Sequence, residues 1–357
     1  MASTSTDEIN ELAKHLPPSL GFVVFWARRI RRLVDTDATR TVALGLGLLH
    51  LAYALYSILL WVWRSIRPSR LNIYCHAETG SWALVTGASD GIGRAFAEEL
   101  LARGFNVLLH GRNQPKLHAL QQSLQARFPH RTLDHVVADA ARPDHPEQTV
   151  LERVHRLPGK LTVLVNNVGG IHQEPLFLAL DHLTPHDLSA TINCNLRFPT
   201  LLTAALLPTL KSTQPSLILN CGSFGGVVAC PYITTYTATK AYIHNFTEGL
   251  RRELLAEGFQ PVLRPEVRGI EVMGLVIGNV LSRSNKEEMP YFTISAGACA
   301  RGALRRVGSG KALECVSWRQ ALLFWVMQCL PARTLDGITV DTMRRRVELE
   351  RAKGKSD

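Results

Sequence analysis

Patterns typical of metal sites and disulfide frameworks are missing from this sequence. Its cysteines are scattered and odd in number, at positions 75, 194, 221, 230, 299, 315 and 329. No two of them have C-x-x-C spacing, so the sequence predicts neither a zinc site nor a set of disulfide bonds. Reduced thiols in a domain that faces the cytosol are the simplest interpretation.

A continuous stripe of arginines with interleaved aromatic residues, as nucleic-acid-binding proteins often have, is also missing. The 357-residue chain has a net charge of +10, but several arginines flank apolar segments. This arrangement favours contact with anionic lipid headgroups over nucleic acid, with plain solubility as the alternative. Because 46% of the residues are hydrophobic and 20% are charged, the composition excludes wholesale disorder. The length fits one extended α/β domain or two domains.

Formal charge is absent from one long stretch near the N-terminus. Residues 41–63, TVALGLGLLHLAYALYSILLWVW, contain no charged side chain. As a helix they would extend roughly 35 Å, which is enough to cross a hydrocarbon core of ~30 Å. The stretch starts too late and is too long for a cleavable signal peptide. We expect a transmembrane helix, with a buried core helix as the alternative.

The rest of the chain is divided around this helix. The predicted regions are a polar terminus with a basic amphipathic segment at 1–40, the transmembrane helix at 41–63, a linker at 64–80, a large domain at 81–282, and a loop with a membrane-proximal helical region at 283–357.

Two of these regions contain segments with more than one interpretation. Leu20–Val34 combines arginines with aromatics, which favours a helix at a membrane surface over one packed on the domain. The polar stretch Ser284–Phe292 is typical of a mobile loop that covers a substrate. Residues 312–330 predict a broken apolar helix that lies on the membrane, lines a substrate entrance or docks on the domain.

Strands and helices alternate from residue 81 onward, at a spacing typical of a parallel sheet with helices on both faces. The predicted strands are 81–86, 105–110, 133–138, 161–165, 217–219 and 270–277. The expected fold class is therefore α/β, with a Rossmann-type doubly wound parallel sheet.

Glycines cluster between the first strand and the next helix, in TGASDGIG. This context predicts a dinucleotide site, because glycines permit a tight turn and let backbone amides approach a pyrophosphate. The N-terminus of the helix adds N–H donors for the phosphates. The predicted cofactor contacts here are Gly87, Ser89, Asp90, Gly91, Ile92 and Gly93.

The carboxylate that usually binds the ribose hydroxyls of NAD is missing at the end of the second strand. Arg112 lies there instead, and its planar guanidinium could pair with a 2′-phosphate. This favours NADP(H), with a solvated arginine as the alternative. After the third strand, Asp139 could reach the adenine edge. The turn that begins at Asn166 would border the adenine pocket.

A second group of reactive residues lies in the stretch 220–242, NCGSFGGVVACPYITTYTATKAY. Tyr236 and Lys240 are four residues apart and would share one face of a helix. An ammonium beside a phenol favours the phenolate form, and the hydroxyl of Ser223 could hold a carbonyl oxygen. Together they predict a proton donor for ketone reduction. A plain surface helix pair is the alternative for the Tyr-x-x-x-Lys pattern alone.

These elements resemble the short-chain dehydrogenase/reductase family from about residue 81 to 280. In the family's order they are TGASDGIG, Asp139, NNVG, Asn195, Ser223 and Tyr236-x-x-x-Lys240. More narrowly, the membrane segment leading into SWALVTGASDGIG, the stretch GFNVLLHGRN and the C-terminal pattern resemble the 17β-hydroxysteroid dehydrogenase branch. That branch includes very-long-chain 3-oxoacyl-CoA reductases.

The resemblance implies a role for each matched residue. Tyr236 would be the general acid, Ser223 would polarise the carbonyl, and Lys240 would favour the phenolate and bind the nicotinamide ribose. Asn195 would support a proton-relay water, with Asn193 as the neighbouring candidate. The cofactor supplies the hydride, so the protein supplies orientation and the proton.

The sequence departs from the family pattern after the sixth strand. The family's Pro-Gly is missing from residues 276–282, VIGNVLS, and Ser282 replaces the threonine that meets the nicotinamide carboxamide. Val280 and Ser282 are the predicted cofactor contacts at this end. An insertion-like stretch, LRPEVRG, precedes the strand at 263–269.

The sequence thus predicts a membrane-anchored, NADPH-dependent ketoreductase. A hydrophobic substrate is expected because the anchor would hold the active site beside the bilayer. The resemblance implies a 3-oxoacyl-CoA or a ketosteroid and an endoplasmic reticulum membrane. The expected cofactor indicates that the catalytic domain faces the cytosol. The resemblance also implies a homodimer, which the anchor could alter.

A ketoreductase of specialised metabolism and a silent dinucleotide-binding membrane scaffold are the alternatives. The complete set of Asn, Ser, Tyr and Lys argues against the scaffold.

Overall fold

The computed structural model describes residues 22, 25–26, 29, 37–76, 80–259, 269–282, 285 and 289–353. The chain separates into two compact units, Met1–Arg67 and Pro68–Asp357. Most of the predicted amphipathic segment Leu20–Val34 and of the insertion-like stretch 263–269 lies outside the described residues, as do residues 284 and 286–288 of the loop Ser284–Phe292.

The first unit contains the long helix α1 (Asp37–Ile66). Its apolar part, Thr39–Leu60, is 22 residues long, and none of it is buried within the protein. Leucines at positions 44, 48, 51 and 55 are more than half exposed. By its length and composition this helix could cross a membrane, and it fits the predicted anchor.

The second unit contains a parallel sheet. Its strands are β1 (Ser81–Val85), β2 (Asn106–Gly111), β3 (Leu133–Val137), β4 (Lys160–Asn166), β5 (Ser216–Cys221) and β6 (Ile270–Val276), a short ribbon of β7 (Val280–Leu281) and β8 (Ile294–Ser295), and β9 (Leu313–Cys315). Seven of them form one sheet in the order β3-β2-β1-β4-β5-β6-β9. All its neighbouring strands are parallel.

Helices cover both faces of the sheet. The α-helices described in the second unit are α2 (Gly91–Ala102), α3 (Gln114–Arg127), α4 (Pro146–His155), α5 (Pro185–Ile192), α6 (Phe198–Ser212), α7 (Thr234–Ala256), α8 (Ala296–Arg306), α9 (Trp318–Cys329) and α10 (Ala332–Lys353). One apolar core lies between the sheet and α2, α3 and α8, and a second lies between the sheet and α4, α6 and α7. The doubly wound fold predicted from the sequence is confirmed.

Each predicted strand is present with its ends shifted by one or two residues, but β9 was not predicted. It is three residues long and only partly buried, so it has no alternation of buried and exposed residues that a pattern could reveal. It lies inside the stretch 312–330 that the sequence assigns to an apolar helix. Helix α9 begins only at Trp318.

Part of the predicted linker belongs to the second unit. Leu71–Tyr74 form a 3₁₀ turn that buries both Leu71 and Tyr74 in the core. The Tyr74 hydroxyl donates a hydrogen bond of 2.5 Å to the carboxylate of Glu271 on β6. The chain is therefore fixed to the sheet before β1 begins.

Candidate active site

The turn between β1 and α2 needs glycine at three positions. Gly87 and Gly91 have φ angles of +64° and +53°, in the left-handed region that glycine adopts readily. A Cβ atom on Gly93 would lie 2.2 Å from the carbonyl oxygen of Gly87, so only glycine lets the helix begin this close to the strand. The carboxylate of Asp90 accepts the Gly91 N–H at 2.7 Å and caps α2. Ser89 and Ile92 are half-buried in the same turn.

Two neighbouring asparagines at the end of β4 have different surroundings. The side chain of Asn166 is buried and donates to Thr203 Oγ1 at 2.9 Å and to Asn220 Oδ1 at 2.8 Å. The side chain of Asn167 instead donates to the carbonyl oxygen of Gly87 at 3.3 Å. Asn167 therefore contacts the glycine turn, whereas Asn166, the residue named from the sequence, holds β4 against β5 and α6.

His110, near the end of β2, holds the backbone of the glycine turn through two hydrogen bonds. Its ring is fully buried and stacks on Phe198, with the ring centroids 5.0 Å apart. Nδ1 accepts the Gly87 N–H at 3.4 Å, and the His110 carbonyl accepts the Ala88 N–H at 2.9 Å. Burial lowers the pKa of His110 to about 4, so the ring stays neutral near pH 7 and can accept this bond. In the sequence, His110 stands out only as a histidine inside an apolar strand.

A cavity of about 650 Å³ lies beyond the ends of β2 and β3. It is lined by Arg112, Asn113, Val137, Ala138, Asp139, Arg142, Asp144, Pro146 and Thr149. Two guanidinium groups, those of Arg112 and Arg142, therefore line the same cavity as Asp139. The Asp139 carboxylate accepts the N–H of Ala141 at 3.1 Å. A pair of arginines suits a phosphate, because each offers donors in a planar fork. Arg142 was missed from the sequence because it lies in a loop without a motif.

Lys240 is held between the end of β5 and Tyr236. Its side chain is buried, and Nζ donates to the carbonyl oxygen of Cys221 at 2.9 Å. The same nitrogen lies 5.7 Å from the centroid of the Tyr236 ring. Both side chains belong to helix α7 and lie next to each other, so a positive charge is held beside the phenol.

Ser223 follows β5 and begins the turn Phe224–Gly226, with its Oγ accepting the Gly225 N–H at 3.1 Å. This turn packs directly on α7. A Cβ atom on Gly226 would lie 2.6 Å from the backbone carbonyl carbon of Lys240. Only a glycine therefore lets the serine turn approach the helix that bears the tyrosine and lysine.

Asn195 lies in a π-helical turn, Asn193–Arg197, that joins α5 to α6. Such turns occur often at functional sites. Asn195 is 1% exposed, and its amide makes two bonds with the backbone of Gly170: Oδ1 accepts the N–H at 2.9 Å and Nδ2 donates to the carbonyl at 2.7 Å. The alternative candidate Asn193 instead donates to the Ala141 carbonyl at 3.0 Å.

Gly169 brings Asn195 close to Lys240. A Cβ atom on this glycine would lie 2.6 Å from Asn195 Oδ1 and 3.0 Å from Lys240 Nζ. The asparagine and the lysine therefore lie close together on the same side of one glycine that follows β4. Ser223 follows β5 and the glycine turn follows β1, so these groups meet at the carboxyl ends of the strands, where ligands bind in such folds.

At the other end of the site, Val280 and Ser282 follow β6. Val280 is buried in β7 and pairs with Ile294 of β8. A Cβ atom on Gly91 would lie 3.3 Å from Cβ of Ser282. The segment after β6 thus lies beside the glycine turn.

The C-terminal helices also reach this region. Helix α9 docks on the domain, and the ring of Phe324 lies 5.6 Å from that of Phe224, the residue after Ser223. Trp325 on the same helix is exposed. Of the three interpretations of residues 312–330, these contacts therefore favour a helix docked on the domain.

Helix α10 contacts the loop after β4 through a single carboxylate. Glu350 accepts the backbone N–H groups of Leu176 at 2.7 Å and Phe177 at 3.1 Å. The next residue, Leu178, donates to the carbonyl of Tyr232 at 3.1 Å. Tyr232 lies in the chain between Ser223 and Tyr236. Local sequence does not predict this contact, because Glu350 lies in the charge-rich stretch 344–351, a pattern typical of a solvated helix face.

Comparison with known proteins agrees with this geometry. The family model described as short chain dehydrogenase matches residues 81–289. The very-long-chain 3-oxoacyl-CoA reductase of Neurospora crassa is 33% identical over 216 residues, which cover 60% of this chain and 64% of that protein, slightly under two thirds. The enzyme of the same name from Lodderomyces elongisporus is 31% identical over 259 residues, covering 71% and 72%.

A similar solved structure is a short-chain dehydrogenase from Sphingobium yanoikuyae in complex with NADPH. It has a TM-score of 0.56 and 23% sequence identity, and the match covers 71% of this chain and 97% of that one. It supports the fold, and the family match covers more than half of the present chain. The resemblance predicted from the sequence is confirmed, and the chain belongs to the short-chain dehydrogenase family, a family of oxidoreductases.

Proposed function

We propose that this protein is a membrane-anchored reductase that uses NADPH to convert a hydrophobic 3-oxoacyl-CoA into the 3-hydroxyacyl-CoA. One observation carries the chemistry: the buried ammonium of Lys240 lies beside the ring of Tyr236, next to the turn that begins at Ser223. The substrate class is supported by the names of the relatives, which are very-long-chain 3-oxoacyl-CoA reductases.

The cofactor is supported by the residues around the glycine turn. The φ angles of Gly87 and Gly91 and the tight approach of Gly93 leave room for a diphosphate beside the N-terminus of α2. Arg112 and Arg142 line the cavity in which a 2′-phosphate would be bound, and no acidic residue takes the place of Arg112. These features favour NADP(H), which when bound supplies the hydride for the carbonyl carbon.

The proton comes from this chain's own residues. The hydroxyl of Ser223 would donate to the carbonyl oxygen of the substrate and fix its position. As negative charge develops on that oxygen, Tyr236 Oη would donate its proton, and the ammonium of Lys240 would stabilise the phenolate that remains. Lys240 suits this role because the acceptor of its hydrogen bond, the Cys221 carbonyl, is neutral and does not cancel the charge of the ammonium.

Asn195 would complete the route by which the tyrosine is protonated again. Both polar atoms of its side chain bond to the backbone of Gly170, so the side chain is fixed beside the lysine. As Lys240 gives a proton back towards the phenolate, a water held between the Asn195 backbone and Lys240 would replace that proton with one from solvent. The π-helical turn supports this role, because it displaces backbone carbonyls from ordinary helical bonding.

The location follows from α1. An exposed apolar helix of 22 residues supports insertion into a bilayer, where long acyl chains also partition. We propose an endoplasmic reticulum membrane with the catalytic unit in the cytosol, since NADPH is supplied there. Contact with lipid through α1 is part of the same proposal.

The test uses the full-length protein in lipid nanodiscs, with NADPH and a panel of 3-oxoacyl-CoAs of increasing chain length and ketosteroids. The expected result is NADPH oxidation with long-chain 3-oxoacyl-CoAs, and 3-hydroxyacyl-CoA as the product by mass spectrometry. Turnover of ketosteroids alone would overturn the substrate class. Absence of turnover with the entire panel, despite NADPH binding, would favour the silent scaffold.

A further inference from the structure

The segment after β6 lacks the proline that would fix its backbone, yet it is held by a side chain from α9. Gln320 is 2% exposed. Its Oε1 accepts the N–H of Gly278 at 3.2 Å, and its Nε2 donates to the carbonyl oxygens of Asn279 at 3.0 Å and Phe292 at 3.3 Å. The amide of Gln320 thus binds the backbone N–H that precedes the Gly278–Asn279 peptide group and the backbone carbonyl that follows it.

The fit between Gln320 and Gly278 is close. A Cβ atom on Gly278 would lie 2.8 Å from Cδ of Gln320, so the glutamine side chain occupies the space that any larger residue would need. Glycine has the greatest backbone freedom of all residues, whereas proline has a fixed φ. A glycine at 278 without a preceding proline therefore requires an external restraint to have one conformation, and Gln320 supplies it.

This segment is connected to both halves of the site. On one side the carbonyl of Ile277 accepts the N–H of Phe224 at 2.8 Å, next to Ser223. On the other side Ser282 lies beside Gly91 of the glycine turn. A shift of the backbone at 278–279 would therefore move a residue next to the carbonyl-binding serine and a residue next to the phosphate-binding turn.

We infer that Gln320 is a positioning residue that fixes the backbone of residues 278–282 for the nicotinamide end of NADPH. This rests on the proposed use of NADPH. Gln320 does not touch the reacting atoms. It holds Gly278 and Asn279 so that Val280 and Ser282 are in place when the cofactor binds.

The experiment compares Gln320→Ala with Gln328→Ala, an exposed glutamine on the same helix. In each variant we would measure hydrogen exchange of peptides covering 274–282 without cofactor, the NADPH dissociation constant by fluorescence, and kcat and KM. For Gln320→Ala we expect roughly tenfold faster exchange in that peptide, because the Gly278 N–H loses its acceptor. We also expect NADPH binding to weaken roughly tenfold. Gln328→Ala is expected to match the wild type in all three.

Two further variants keep the inference testable if Gln320→Ala folds poorly. Gln320→Glu keeps an acceptor for Gly278 but loses the donor to Asn279 and Phe292. Gly278→Ala pushes the glutamine side chain out of place. Both are expected to weaken NADPH binding and to accelerate exchange in the 274–282 peptide, with exchange elsewhere unchanged.

The inference is overturned if exchange at 274–282 is unchanged in these variants, or if exchange accelerates while NADPH binding stays at the wild-type value. Its failure is distinguishable from failure of the proposed function. Exchange and NADPH binding need no ketone, whereas the substrate panel tests turnover in the wild type.

Discussion

The ammonium of Lys240 lies 5.7 Å from the centre of the Tyr236 ring and donates to the carbonyl oxygen of Cys221 at 2.9 Å. Because Cys221 ends β5, the lysine has a defined position relative to the sheet, and the tyrosine on the same helix shares that position. The acceptor is uncharged, so the positive charge acts on the phenol.

Glycine at 226 is required for the serine turn to pack on α7. In Gly226→Ala the new Cβ would collide with the backbone of Lys240, and we expect a loss of about 1–3 kcal/mol in the free energy of unfolding. We also expect kcat to fall, because Ser223 moves away from the tyrosine. Expressed as an activation free energy, this loss should be at least as large as the loss of stability. Gly249→Ala on α7 is the control, since nothing lies within 4 Å of that position. It should stabilise the helix by about 0.5–1 kcal/mol. Equal stability of the two variants in denaturant titrations would contradict the packing.

Arg142 is expected to share the 2′-phosphate with Arg112. Loss of one charge-assisted hydrogen bond costs about 1.5–3 kcal/mol, so Arg142→Ala should weaken NADPH binding roughly ten- to hundredfold and leave NADH binding nearly unchanged. The exposed Arg156 at the end of α4 provides the control Arg156→Ala. Equal losses for both cofactors, measured by fluorescence titration, would remove Arg142 from the phosphate site.

Glu350 is expected to fix the loop after β4 on the substrate side. In Glu350→Gln one oxygen becomes an NH2 group, which cannot accept a backbone N–H, so one of the two bonds to Leu176 and Phe177 is lost and two donors face each other. We predict a KM for the ketone raised roughly three- to tenfold with an unchanged NADPH dissociation constant, because a hydrogen bond to a charged acceptor contributes about 1.5–3 kcal/mol and solvent recovers part of it. Glu348→Gln, at an exposed position on the same helix, is the matched control. A KM that is the same in both variants would show that the contact has no part in substrate binding.

These contacts also show which parts of the site the sequence could reveal. Tyr236 and Lys240 are four residues apart, and the glycines of the turn lie within seven, so local spacing was enough to predict them. Gln320 and Gly278 are 42 residues apart, and Glu350 and Leu176 are 174 apart. Nothing in the local pattern links such partners, because only the folded sheet brings them together.

The same distinction holds for the fold. The first six strands are apolar runs bounded by turns and helices, so periodicity predicts them. Strand β9 has three partly buried residues and exists because β6 offers it an edge to pair with. Asn166 and Asn167 are a similar case, since their order in the sequence does not say which side chain faces the core.

Burial of neutral histidines predicts a loss of stability in acid. The pKa of His110 is lowered to about 4 by burial, and that of His244 to about 4 by burial and by Lys240. Between pH 6.5 and 4 the unfolded chain therefore binds protons that the native state does not. The stability is fully present above pH 6.5 and is lost as the pH falls towards 4, by roughly 3 kcal/mol for His110.

Denaturant titrations from pH 7 to pH 4 measure this loss, and His110→Gln is the comparison. Gln cannot titrate, so the variant should show a smaller decrease in the free energy of unfolding over this range. A decrease as large as that of the wild type would mean that His110 is not the group that binds the proton.

The role of Tyr236 as the general acid is tested by the Tyr236→Phe variant in nanodiscs, measured with NADPH and a long-chain 3-oxoacyl-CoA. Phenylalanine keeps the ring beside Lys240 but removes the proton donor. We predict that ketone-dependent NADPH oxidation falls at least a thousandfold, in the upper part of the range for loss of a general acid, roughly 10²–10⁴. The NADPH dissociation constant should change by less than about threefold, since no charge is lost. Turnover at the wild-type rate in this variant would contradict the assignment of Tyr236 as the acid.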